Sequence, residues 1–119
     1  MFEPRGSFTV SGELALSTNG MDPEIKVWLP GTRLQRIVRW DTPDRTVRSG
    51  DVVAYRRRLF SLGRSFVDGV PVAEVFPAVR ELKTDPVGNV WVRRYPRPTQ
   101  DKGSWLKFDD RGAFLCELG

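Results

Sequence analysis

Apolar and polar residues alternate along four short runs in the first third of the chain. The runs span residues 7–11, 13–18, 24–29 and 33–40, are rich in β-branched and aromatic side chains, and are separated by Gly, Pro or Asn. In residues 24–29 apolar side chains mostly alternate with charged ones, as in a half-buried strand. The Pro-Gly-Thr turn at residues 30–32 joins the last two runs into a hairpin. The pattern predicts a four-stranded antiparallel meander.

The last third of the chain repeats this scheme. Strand candidates span residues 78–84, 90–95, 104–108 and 113–118, and turn-forming Asp, Gly and Pro are frequent in the connections 85–89, 96–103 and 109–112. The order of elements aligns Gly12 with Gly88 and Trp28 with Phe108. We therefore expect two copies of one four-strand unit, over residues 1–42 and 77–119, within one structural domain.

A single helix is predicted in the connection formed by residues 43–76. It spans about residues 49–62, with Ser49 as its N-cap and Asp51 near the positive end of its dipole. Apolar side chains at helical spacing predict a face that packs onto the sheets: Val52, Tyr55, Leu59 and Leu62. The expected fold is thus mostly β, with two four-stranded antiparallel sheets and one inserted helix.

Two stretches carry a family likeness. Residues 76–95, which include the segment Leu-Lys-Thr-Asp-Pro-Val-Gly-Asn-Val-Trp-Val, together with residues 105–112, resemble a blade of the six-bladed, NHL-like β-propellers of environmental bacteria. Residues 24–28 with 33–39 resemble the outer hairpin of the preceding blade. The resemblance implies two propeller-type blades where a closed ring of that family has six. Its motifs build blades and specify no ligand or reaction.

A two-blade arc leaves sheet faces and strand edges open, and such surfaces attract other chains. Three chains of two blades would rebuild a six-bladed ring, so a homotrimer is the favoured assembly, with a dimer, by strand exchange or otherwise, next. A piece of a longer protein is the remaining explanation for the length. The leading functional hypothesis is a self-assembling blade module with a binding or scaffold role. Whether it is an enzyme is left open by the residues.

Composition narrows the chemistry. Histidine is absent and Cys116 is the single cysteine, which excludes Ser-His-Asp and Cys-His catalysis and the commonest zinc ligands. Cys116 lies in an apolar run, as a small buried side chain would. The net charge of +4 and pI near 9.7 come from basic residues interspersed with acidic ones and without a nucleic-acid-binding motif, so nucleic acid is not the expected partner.

No stretch is long and apolar enough for a membrane span, and the first residues lack the order of a signal peptide. As written, the chain is therefore expected to be cytoplasmic, although the resembled family is largely exported.

The resemblance also indicates where a site would lie. In propellers, ligands usually bind on the face formed by the loops between second and third strands and by the connections between blades. Here that face would receive residues 19–24, 41–77 and 96–103. Its oxygen ligands could hold calcium, a cation that takes several oxygen atoms: Asn19, Asp22, Glu24, Glu74 and Asp101. The alternative function is a lactonase- or phosphotriesterase-like hydrolase, whose carboxylate and metal site forms at the oligomer axis. Against it, Asp in turns commonly serves local backbone hydrogen bonds.

A second set of candidates combines aromatic rings with guanidinium groups, which suits an anionic or sugar ligand. It consists of Trp91, Arg93, Tyr95, Arg97 and Gln100. The alternative is that Trp91 belongs to the blade core and the arginines lie at its rim.

Overall fold

Two four-stranded antiparallel sheets and one helix form the part of the chain that the structure describes. The computed structural model describes residues 2, 4–31, 33–42, 44–61, 74–99 and 103–118. The first sheet has the order β1 (Ser7–Ser11), β2 (Leu14–Thr18), β3 (Glu24–Leu29), β4 (Arg33–Arg39), and the helix α1 spans Ser49–Ser61. The second sheet has the order β5 (Val79–Thr84), β6 (Val90–Arg94), β7 (Trp105–Phe108), β8 (Phe114–Leu118). The predicted mostly β fold is confirmed, with strand ends within a residue or so of the sequence pattern.

Strand pairing follows the sequence in both sheets. In the first sheet Phe8 pairs with Ser17 and Leu16 with Val27, and the register shifts once, between Val27 and Trp28. In the second sheet a five-residue connection with positive φ at Gly88 joins β5 to β6. Asp85 accepts N–H groups of Val87 and Asn89 there, so its side chain forms the turn that the sequence predicts.

The core lies between facing surfaces of the two sheets. It combines Leu16, Ile25 and Val27 of the first sheet with a larger set from the second sheet and the segment before it: Ala78, Val79, Leu82, Val90, Val92, Leu106 and Phe108. Because these side chains alternate along their strands, each sheet has one covered face and one outer face. The first strands of the two sheets, β1 and β5, lie next to each other, and the Thr84 hydroxyl lies 3.4 Å from the Val10 carbonyl.

The predicted N-cap is wrong by one residue, because Ser49 already belongs to the helix and Arg48 precedes it. Ser49 is the first helical residue, and the first turn is closed by Asp51, whose Oδ2 accepts the N–H of Arg48 at 2.9 Å. A carboxylate at the third helical position that reaches back in this way satisfies a donor that the helix itself leaves open. Of the predicted apolar stripe, Val52, Tyr55 and Leu59 are partly buried, and Leu62 lies outside the described residues.

Candidate functional site

Connections between elements meet at one end of the two sheets. The N–H groups of Ala78 and Val79 donate to the Met21 and Gly20 carbonyls at 3.2 and 3.0 Å. Arg45 donates to the Met21 carbonyl at 2.6 Å and to the Phe76 carbonyl at 3.0 Å. These hydrogen bonds hold the loop between β2 and β3 against the described parts of the connection around α1. We call this end of the two sheets the loop end.

Arg97, a predicted ligand residue, lies at this end and is surrounded by acceptors of its own chain. Its Nη1 donates to Asp51 Oδ2 at 2.7 Å and to the Thr46 carbonyl at 3.0 Å, and its Nη2 donates to the Asp44 carbonyl at 2.7 Å. Its guanidinium carbon also lies 5.0 Å from the centre of the Phe76 ring. These contacts tie the segment after β6 to the start of α1, which indicates a structural role.

Tyr95 joins a cluster of aromatic rings beside Arg97. Its ring stacks on Phe76 with centroids 5.8 Å apart and meets Phe2 edge-on at 6.5 Å, while the guanidinium of Arg80 lies 5.9 Å from its centre. Burial raises the pKa of the Tyr95 hydroxyl above its ordinary value of 10.0. The neutral phenol is therefore the form present at pH 7, and Tyr95 packs the loop end of the molecule.

The predicted metal ligands Asn19, Asp22 and Glu24 form separate local interactions within the chain. Asn19 accepts the N–H groups of Met21 and Asp22 at 2.9 and 3.0 Å, and its amide donates to the Asp22 carboxylate at 2.9 Å. Glu24 forms an ion pair with Arg39, with 3.0 Å between Oε2 and Nε. Both arrangements are local, as turn and cross-strand pairs generally are.

Glu74 and Asp101 are the remaining residues of the proposed calcium set. Glu74 is exposed, and its carbonyl accepts the Val47 N–H at 2.8 Å. Asp101, like Gln100 of the ligand set, lies outside the described residues. Within the described ranges, no group of three or more His, Cys, Asp or Glu side chains is placed to hold one metal ion. A groove of about 470 Å³ lies beside Asp22 and Glu24, with Arg39 in its wall.

The outer face of the second sheet brings together residues that are scattered in the sequence. One row across the strands consists of Lys83, Trp91, Lys107 and Cys116, and the next of Glu81, Arg93, Trp105 and Leu118. Residues directly opposite one another in an antiparallel sheet share a face. We call these eight residues the indole–cation face.

Each indole of this face lies against an ammonium group. Lys83 Nζ lies 4.4 Å from the centre of the Trp105 ring, and Lys107 Nζ lies 5.1 Å from that of Trp91. Trp91 Nε1 donates to Asp85 Oδ2 at 3.1 Å. Burial of Asp85 raises its pKa, but the hydrogen bonds from Trp91, Asn89 and Val87 outweigh that effect and leave the pKa below 3.8. Asp85 is therefore ionised at neutral pH and fixes the orientation of the Trp91 ring.

The predicted ligand set is thus divided between two places. Trp91 and Arg93 belong to the indole–cation face, whereas Tyr95 and Arg97 pack the loop end. Sequence reasoning missed Lys83, Trp105 and Lys107, because only strand register shows that they share a face with Trp91. The alternation of residues 105–108, Trp-Leu-Lys-Phe, predicts that Trp105 and Lys107 face one way, but not which strand lies beside them.

The outer face of the first sheet is apolar by contrast. Phe8 lies in one row with Ser17, Lys26 and Ile37, and Val10 lies in the next with Ala15, Trp28 and Leu34. Large side chains on this face are exposed: 67% for Phe8, 56% for Val10, 46% for Leu34 and 36% for Ile37. We call these eight residues the apolar face. Contiguous apolar surface of this kind marks a site of association more often than scattered single residues do.

Comparisons with known proteins found no match: no family model, no curated protein and no solved structure matches the chain. Among the described helical residues, no helix is both long enough and apolar enough to cross a bilayer.

Proposed function

We propose that this chain is a self-assembling β module, built from two blade-like sheets, with a binding or scaffold role. The observation that carries the proposal is the apolar face, where Phe8, Val10, Leu34 and Ile37 are exposed on one side of a single sheet. Full burial of such side chains stabilises by about 1.5–3 kcal/mol each. A copy of the same chain is the partner that is present whenever the protein is.

The dimensions of the chain support this proposal. Its radius of gyration is 16.1 Å and its extents are 45 × 29 × 25 Å, whereas a compact domain of this length has a radius of gyration of about 13.5 Å. Two sheets that cover only one face each leave the arrangement extended. Adding copies is the way in which repeat architectures bury such open faces.

Two arrangements of copies are compatible with the sheets. In a ring of three, the apolar face of one chain would cover the second sheet of the next, and the neighbouring positions of β1 and β5 suit such a ring, in which first strands line the axis. In a two-fold pair, the apolar face would pack on itself, as an isologous interface does.

The mass in solution tests the proposal. Light scattering after size exclusion, at micromolar concentration, is expected to give the mass of two or three chains of 13.6 kDa each. A folded species with the mass of one chain over the whole concentration range would refute self-assembly. Circular dichroism on the same fractions establishes that the species is folded.

The hydrolase alternative has no comparable geometric support. Of its three described carboxylates, Asp22 and Glu24 are engaged with Asn19 and Arg39 within the same chain, and Glu74 is exposed. A carboxylate site at an oligomer axis therefore remains a prediction of the sequence. Turnover of esters, lactones or phosphoesters, with and without a calcium chelator, tests it.

A further inference from the structure

The indole–cation face differs in chemistry from the apolar face of the first sheet. Two tryptophans, Trp91 and Trp105, lie on its two central strands, and Lys83, Lys107 and Arg93 lie beside them in the same two rows. Glu81 is the single acidic residue of these two rows. The face therefore combines flat aromatic surface with an excess of positive charge.

Covering this face with another sheet would be costly, which favours the two-fold pair over the ring of three. Burying three cations against apolar side chains would remove them from water without providing partners. A ligand that brings its own negative charges and its own flat apolar groups avoids that cost. Single-stranded nucleic acid has both, since its phosphates pair with Lys and Arg and its bases stack on aromatic rings.

We propose that the indole–cation face binds single-stranded nucleic acid, with bases stacked on Trp91 and Trp105 and phosphates held by Lys83, Lys107 and Arg93. In the free chain Lys83 and Lys107 lie over the indoles. On binding, each ammonium group moves off its ring and pairs with a phosphate. A cation over a partly exposed ring is held by only about 0.5–2 kcal/mol, so a stacked base can displace it.

The arrangement favours this ligand over other anionic polymers. An anionic polysaccharide would pair with the same cations, but it has no planar bases to stack on Trp91 and Trp105, which lie in the two rows beside those cations. Double-stranded nucleic acid keeps its bases stacked on each other, so it offers phosphates but no free base face to Trp91 or Trp105. Basic residues are interspersed with acidic ones along the sequence, so the sequence alone does not reveal this face. It forms only when β5, β6 and β7 pair.

Fluorescence anisotropy of a labelled oligothymidine of about 12 nucleotides tests the inference. Binding at low salt is expected, with quenching of tryptophan emission by the unlabelled oligonucleotide. Trp91→Ala and Trp105→Ala should each weaken binding at least about fivefold. Lys107→Gln should lower the slope of log affinity against log salt by about 0.7, the value expected for one phosphate contact on a single strand.

Matched variants separate this face from general charge. Arg57→Gln removes an exposed cation of α1 that belongs to neither sheet face and should leave both affinity and salt slope unchanged. Trp91→Phe, which keeps an aromatic face, should retain more affinity than Trp91→Ala, and Lys83→Gln and Lys107→Gln keep the test open if Trp91→Ala does not fold.

Several results would overturn the inference. They are no binding at low salt, equal losses for Arg57→Gln and Lys107→Gln, equal affinity for a duplex of the same length, or tight binding of heparin without loss in Trp91→Ala. The solution mass is measured on the same samples, because a ring of three would cover this face and a two-fold pair would leave it open. A folded single chain that binds the oligonucleotide would refute self-assembly and support this inference, and an oligomer that does not bind would do the reverse.

Discussion

Arg97 and Asp51 form an ion pair that joins the end of the β6 segment to the first turn of α1. The Nη1 to Oδ2 distance is 2.7 Å, and the two side chains are 22% and 5% exposed. Asp51 uses the same oxygen to accept the N–H of Arg48, so one carboxylate both caps the helix and anchors it to the second sheet.

Removing the Asp51 carboxylate should destabilise the chain strongly. In Asp51→Ala the partly buried guanidinium of Arg97 loses the Asp51 carboxylate, and the Arg48 N–H loses its acceptor. Breaking a buried pair from one side costs about 3–5 kcal/mol, and partial exposure of Arg97 places the expected loss near the lower value, about 3 kcal/mol. Urea unfolding followed by circular dichroism measures it.

Glu24→Gln is the matched control, because it removes an ion pair with an exposed partner. Arg39 is 70% exposed there, and exposed pairs contribute less than about 1 kcal/mol. Equal losses in Asp51→Ala and Glu24→Gln would show that the Arg97 pair has no special structural role.

Stability should fall on acidification, through carboxylates that hold turns and strand ends. Hydrogen bonds from the Thr46 hydroxyl and N–H, and the Arg48 guanidinium, lower the pKa of Asp44 from 3.8 to about 2. A carboxyl whose pKa is lower in the folded chain stabilises fully above its unfolded pKa and loses that contribution as the pH falls through the folded one. The free energy of unfolding should therefore decrease as the pH falls from about 4 to about 2.

Two other carboxyls act in the same direction. The hydroxyl of Ser104 and the Arg94 guanidinium lower the pKa of Glu117, and the pKa of Asp85 is lowered as described above.

Asp44→Asn should reduce the loss of stability at acid pH, measured as the free energy of unfolding at a series of pH values. An identical pH profile for Asp44→Asn and the parent chain would contradict this assignment.

The sequence predicts the elements of this fold better than it predicts the site. Alternation and turn residues are local properties, so the eight strands and α1 follow from segments such as Asp85 to Asn89, where an Asp-Pro and a Gly occur together. The position of Trp105 beside Arg93 depends on a register between strands that are separated by a long connection. No local sequence pattern determines that register. For the same reason the sequence places Tyr95 and Trp91 in one candidate ligand set, although they lie in different environments.

Gly20 should tolerate a side chain poorly. Its φ is +81°, and a Cβ there would overlap the backbone of Arg5, while its carbonyl accepts the Val79 N–H. Gly20→Ala is expected to cost about 3 kcal/mol, from left-handed backbone strain together with overpacking. Thermal and urea unfolding measure the loss.

Gly12→Ala provides the comparison, since Gly12 also has a positive φ of +60° but has no atom within 4 Å of the added Cβ. Strain alone predicts a loss of about 1 kcal/mol there. A loss in Gly12→Ala as large as that in Gly20→Ala would mean that the approach of Arg5 is unimportant.

Phe8→Ser should weaken self-association without unfolding the chain. The Phe8 side chain is 67% exposed in the single chain, so its removal costs the fold little, whereas its burial at an interface would contribute about 1.5–3 kcal/mol. The apparent dissociation constant should therefore rise by at least about tenfold, measured by sedimentation over a range of concentrations. Val87→Ser removes an apolar side chain that is 76% exposed in the turn between β5 and β6 and is not one of the eight residues of the apolar face, and should leave association unchanged. If both variants weaken association equally, or neither does, the apolar face is not the surface through which copies meet.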